Sequence, residues 1–187
     1  MLSIERVLQE MNELMGNYDR FAQIAVEIPW IQVEEAHESA SKPGTYWGFN
    51  VDLVHFPDGY VEQNFKEAYV RAALCSIIDS EEWDKDCFDI PQEERRKCFC
   101  NAHSEEMYDG YVNFKEKRLL IRDEEYLKKE INCFAGANDV SLDEQEKYLS
   151  YARDAIIVEL GGGYSADFTY LVVKDDYIMF IDCGVWD

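Results

Sequence analysis

The side chains of this 187-residue chain best suited to chemistry are its six cysteines and three histidines. Four of these nine gather in one stretch. Cys98, Cys100 and His103, with Cys87 upstream, bring thiolates and an imidazole together. Those are the donor types of a tetrahedral zinc site. The spacing departs from the usual pattern, because Cys98-Phe99-Cys100 is C-x-C rather than C-x-x-C and no second pair follows. Surface or half-buried thiols are the plainer account. Glu34, His37 and Glu38 form a second group at i, i+3 and i+4. On a helix they would share a face and could hold a divalent cation, or pair an acid with an imidazole for proton transfer. The second histidine of an H-E-x-x-H site is missing, and an acidic exposed helix gives the same spacing. The expectation is no cofactor, with zinc or another divalent cation as the alternative.

Nucleophilic catalysis needs a Ser or Cys with a base beside it. No G-x-S-x-G setting occurs. His55 falls on the apolar face of a strand pattern, where a core role is the usual one. Gly161-Gly162-Gly163-Tyr164-Ser165 follows a strand pattern as a phosphate loop would. It lacks Gly-Lys-Ser/Thr and a following helix, so phosphate would find no amide cradle with an aligned dipole. No catalytic residue is assigned.

Charge is more informative. Thirty-nine acids against 18 bases give a net charge of -21. Such a surface repels nucleic acid phosphates and anionic membranes, and it favours a basic partner, a cation or plain solubility. The acids are densest between positions 79 and 94, with eight against the single base Lys85. Aromatic residues interrupt them. Glu81, Glu82, Trp83, Asp84, Asp86, Phe88 and Asp89, with Trp186 near the end, have the composition of an interface for a basic protein. The aromatics would anchor and the carboxylates would steer. The function expected is therefore a non-catalytic acidic binding protein that captures a basic protein, in concrete form an immunity protein or inhibitor that neutralises a toxin. A metal-binding protein or metal-dependent enzyme is the alternative.

The elements that must position these residues follow from periodicity. Ile4, Val7, Leu8, Met11, Leu14 and Met15 mark one face of a helix, capped by Ser3 and ended at Gly16-Asn17. Positions 21–39 are ambiguous, with a helix-compatible stretch after Trp30. Positions 45–56 alternate as a half-buried strand, and 61–78 read as a helix. Positions 79–110 read as an acidic, cysteine-containing insertion in one domain spanning 1–187. One or two short strands are expected between Tyr111 and Arg122, at Tyr111 to Phe114 and at Arg118 to Ile121, then a helix capped by Asp123 and stopped by Gly136. Ser141 and Glu144 have capping-box spacing, opening a helix with Leu142, Leu149 and Ala152 inward. Three runs rich in β-branched and aromatic residues follow, the last two separated only by Lys174-Asp175-Asp176. They predict a C-terminal β-hairpin at the core of a mainly antiparallel sheet packed against several helices, an α+β fold. Acids among the apolar residues of the first fifteen positions do not resemble a signal peptide, and no apolar run could span a bilayer. A cytoplasmic location with reduced cysteines is expected, and Cys75 and Cys183 look like small buried hydrophobes.

Overall fold

The computed structural model describes residues 2–27, 33–41, 47–74, 119–160 and 168–185. Among them, six strands form one antiparallel sheet. They are β1 (Glu34–Ser41), β2 (Trp47–His55), β3 (Leu119–Arg122), β4 (Ile156–Leu160), β5 (Phe168–Val173) and β6 (Tyr177–Val185). The order across the sheet is β1-β2-β6-β5-β4-β3. The hairpin β5–β6 lies at its centre, closed by the Lys174 amide on the Tyr177 carbonyl at 3.0 Å. The chain therefore has the α+β architecture that its sequence implies.

Helices cover both faces. On one face lie α1 (Ile4–Leu14), α2 (Tyr18–Glu27), α3 (Tyr60–Gln63) and α4 (Phe65–Ala73). Val7, Met11 and Leu14 of α1, Phe21 and Ile24 of α2, and Phe65, Ala68 and Tyr69 of α4 pack with Val54, Leu171, Ile178 and Phe180 of the sheet. On the other face lie α5 (Glu124–Ala137) and α6 (Leu142–Ala152). Leu127, Ile131 and Phe134 of α5 and Tyr148 and Leu149 of α6 pack with Phe49, Val51, Tyr170, Val172, Met179 and Ile181. Successive strand residues point to opposite faces, so the odd and even positions of β6 feed two separate cores. The run Tyr177 to Ile181 is apolar without alternation because neither face meets water.

Local signals account for most helix ends. Ser3 Oγ accepts from the Arg6 amide at 3.3 Å, and Gly16 takes φ +71°, a conformation that costs glycine little. Asp123 accepts from the Tyr126 amide at 2.7 Å and starts α5. Glu10 does two jobs. It pairs with Arg6 at 2.7 Å and accepts the Lys66 amide at 3.1 Å, so α1 caps the start of α4.

Several expectations change. The helix-compatible segment after Trp30 contains strand β1, because eight residues pair in register with β2 and that tertiary ladder outweighs a sequence without β-branched residues. Strand β2 is buried on both faces, not half-buried, because α1–α4 cover the face that alternation assigns to water; Asp52 there is 3% exposed. The helix expected at 61–78 breaks at Asn64 into α3 and α4. Helix α5 passes through Gly136 and ends at Ala137. Leu142 is 79% exposed rather than inward; Gln145, Tyr148, Leu149 and Ala152 form the buried side of α6. Cys183 is a buried free thiol as expected, and Cys133 is free and exposed. Among the described residues no helix is long and apolar enough to cross a membrane.

Candidate functional site

Most of the residues singled out above lie outside the described ones. These are Glu81, Glu82, Trp83, Asp84, Asp86, Phe88 and Asp89, the thiol group of Cys98, Cys100 and His103, and Trp186. Glu34, His37 and Glu38 lie within β1. A strand does not bring positions i, i+3 and i+4 to one face, so the helical spacing that motivated this group is absent. Among the described residues no three His, Cys, Asp or Glu gather as ligands for a metal ion. His55 is half-buried beside the rings of Tyr151 and Tyr177, at centroid distances of 5.7 and 5.6 Å.

Glu38 has another setting. It stands on the wall of an open cleft of about 430 Å³, formed by β1, Phe49 of β2, the turn after α5 and the first turns of α6. Its two carboxylate oxygens have different partners. Lys147 Nζ donates to Oε1 at 2.5 Å, and the Tyr148 hydroxyl donates to Oε2. The Lys147 ammonium also lies 5.6 Å from the centroid of the Tyr148 ring. Tyr148 in turn tilts against Phe49, with centroids 5.8 Å apart. The bond to Glu38 holds the Lys147 pKa above its ordinary value, against a smaller opposing effect of desolvation. Both partners remain wet, with side chains 49% and 37% exposed, so the pair contributes little stability, up to about 1 kcal/mol.

The turn that closes the cleft is tightly fastened. Asn138 is buried and donates its Nδ2 to the Phe134 carbonyl at 2.9 Å. Asp139 takes φ +60°, in the left-handed region where aspartate is tolerated better than most residues. Val140 returns its amide to Ala135 at 3.0 Å and its carbonyl to Gln145 Nε2 at 2.7 Å. The capping box then fixes Glu144. Its Oε2 accepts from the Ser141 amide at 3.0 Å and the Ser141 hydroxyl at 2.6 Å. Those two bonds, the hydroxyl's first, hold the Glu144 carboxyl below its ordinary value of 4.5. A carboxyl depressed in the folded state stabilises above its unfolded pKa, and that contribution is lost as pH falls through the folded value. Ser141→Ala is accordingly expected to cost about 1 kcal/mol near neutral pH, the ordinary loss for an N-cap. The difference from the parent protein should shrink below pH 4.5. Urea unfolding of both proteins at neutral and acid pH checks this; an undiminished difference at about pH 3 would mean that Glu144 contributes nothing to the cap.

No family model, curated protein or solved structure matches this chain.

A second polar group lies on the α1–α4 side of the sheet, and sequence reasoning missed it. Arg71 of α4 is 1% exposed, and Asp52 of β2 is also buried. Thr169 Oγ1 donates to Asp182 Oδ1 at 2.6 Å. Asn50, Asp182 and Thr169 stand side by side across β2, β6 and β5. Burial first, and the Asp182 carboxylate second, push the Tyr69 hydroxyl pKa up. The available signal was an acid inside each apolar run, Asp52 in Val51-Asp52-Leu53 and Asp182 in Ile181-Asp182-Cys183. A charge at such a position is rare without partners.

Proposed function

We propose that this chain is a non-catalytic acidic binding protein that captures a basic protein. Its concrete form would be an inhibitor of immunity type that occupies the cationic surface of a toxin. The observation that carries the reading is the net charge of -21. The described ion pairs sharpen it. Arg6, Lys66, Arg122, Lys129 and Lys147 are each already paired with a carboxylate of this chain. Over the whole chain the carboxylates outnumber the bases, 39 to 18, so the surplus is carboxylate. A surplus of one sign accelerates encounter with the opposite sign and rejects like-charged partners, so nucleic acid and anionic lipid are disfavoured.

The test uses the purified protein as bait at low ionic strength, with elution by salt. A single basic protein is expected, re-forming a defined complex from purified components with association slowing steeply as salt rises. Recovery of no basic protein, together with stoichiometric metal lost on Cys98→Ser or turnover of a small substrate, would overturn the reading in favour of a metal-dependent activity.

A further inference from the structure

We propose that the outer edge of β1 accepts an extended basic segment of the partner, which joins the sheet as a further strand. The inference rests on the binding reading above and adds the place and the mode of contact. Strand β1 stands at one end of the order β1-β2-β6-β5-β4-β3, and among the described residues only β2 pairs with it. In an antiparallel strand, alternate residues turn both amide and carbonyl to the same side. About four of the eight residues of β1 therefore present both groups outward, a row of donors and acceptors at main-chain spacing. Ala36 and Ser39 are exposed, and their small side chains leave an incoming backbone close access.

Edge strands are ordinarily closed to such additions by shortness, proline, lysine or a bulge. Strand β1 is eight residues long, contains neither proline nor lysine, and pairs with β2 from Glu34 to Ser41 without a bulge. Its acids are Glu34, Glu35 and Glu38, and it has no arginine. These acids select the occupant. A second copy of this chain would set carboxylates beside carboxylates across the new ladder, and two chains of net charge -21 repel before they meet. A segment with lysine or arginine at alternate positions would instead set a cation beside the exposed Glu34. Glu38 keeps its bonds to Lys147 and Tyr148, because the incoming strand bonds to backbone. In strand addition the main-chain bonds supply affinity and the side-chain pairs supply specificity.

The probe is a blocked peptide of alternating lysine and valine, long enough to span β1, titrated into isotope-labelled full-length protein. Two controls accompany it. One is the same peptide N-methylated at every amide, which keeps the charge and loses the donors. The other replaces lysine by glutamate. The lysine peptide is expected to shift the amides of Glu34 to Ser41 saturably and to slow hydrogen exchange at alternate positions among them. Neither control should do so. Glu34→Lys should weaken the lysine peptide about fivefold, whereas Glu5→Lys on α1, with the same change in net charge, should leave it within about twofold. Equal binding of the N-methylated peptide, shifts spread over every acidic face, or equal losses in both variants would overturn the proposal. Protection of the β1 amides that grows with protein concentration alone would overturn it in favour of a second copy. The two readings fail separately. A recovered basic partner that binds without protecting the β1 amides removes the edge and leaves the binding function. The lysine peptide seated on β1 in an amide-dependent way, with no basic protein recovered, upholds the edge as a strand acceptor and removes the protein partner.

Discussion

Phe180→Ala is expected to cost about 4 kcal/mol of stability. Phe180 sits on β6, the third strand of six, with β2 on one side and β5 on the other. Its register partners are Asp52 and Leu171. The side chain is 1% exposed and meets Tyr69 edge-on, with ring centroids 5.6 Å apart. Two constraints keep the surroundings from filling the gap. The strand cannot shift without breaking two ladders, and α4 is held in place by its Lys66 contacts to Glu10 and Glu13 of α1. The loss is therefore the transfer energy of the ring plus most of a cavity. Phe180→Leu, which preserves much of the volume, should cost about 1.5 kcal/mol. Leu142→Ala, at a position 79% exposed, should stay within about 0.5 kcal/mol of the parent. Urea unfolding reads all three as shifts in midpoint at unchanged slope. A loss below about 1.5 kcal/mol for Phe180→Ala would mean that the α1–α4 layer collapses into the hole and is packed less rigidly than its burial implies.

The same strand explains why the fold was legible. Its pattern is local. Two apolar runs separated by Lys174-Asp175-Asp176 specify a hairpin, and no distant residue is needed to see it. The caps of Ser3, Asp123 and Ser141 are legible for the same reason, since each acts within three residues of itself. Strand β1 was not legible. Glu34 to Ser41 has no strand propensity of its own and becomes a strand only because β2 offers eight paired positions. Asp52 was misplaced by the same kind of non-local event, because alternation cannot register a second layer of helices. The cleft lies beyond any spacing rule. Glu38 and Lys147 are 109 residues apart, and nothing in either neighbourhood announces the other. Of the candidate site residues that the structure describes, Glu38 alone lines this cleft, and it does so as the partner of a lysine and a tyrosine rather than in the helical triad that drew notice to it.

Arg122→Leu should cost about 3 kcal/mol of stability. Its partner Glu159 lies in β4 on the α5–α6 side and is 4% exposed. Arg122 Nε donates to Glu159 Oε2 at 2.5 Å from the neighbouring strand β3. The guanidinium carbon also lies 4.1 Å from the centroid of the Tyr126 ring, at the start of α5. One arginine thus neutralises a buried carboxylate, ties the edge strand to the sheet and seats a helix. The hydrogen bond to Glu159 raises the Arg122 pKa, against the opposing effect of desolvation. The two halves of the pair are unequal. The Arg122 side chain is 27% exposed and reaches water; the carboxylate does not. Removing the arginine strands a charge in an apolar layer, whereas Glu159→Leu leaves a cation that can turn outward, at about 1.5 kcal/mol. The double replacement should cost little more than Glu159→Leu alone, because the stranded charge is gone. Arg122→Lys keeps the charge but loses the planar contact with Tyr126, and should fall between parent and Arg122→Leu. A double-mutant cycle by urea unfolding measures the coupling directly. Additive losses, or a loss under about 1 kcal/mol for Arg122→Leu, would mean that water reaches Glu159 and that the pair behaves as an ordinary surface pair.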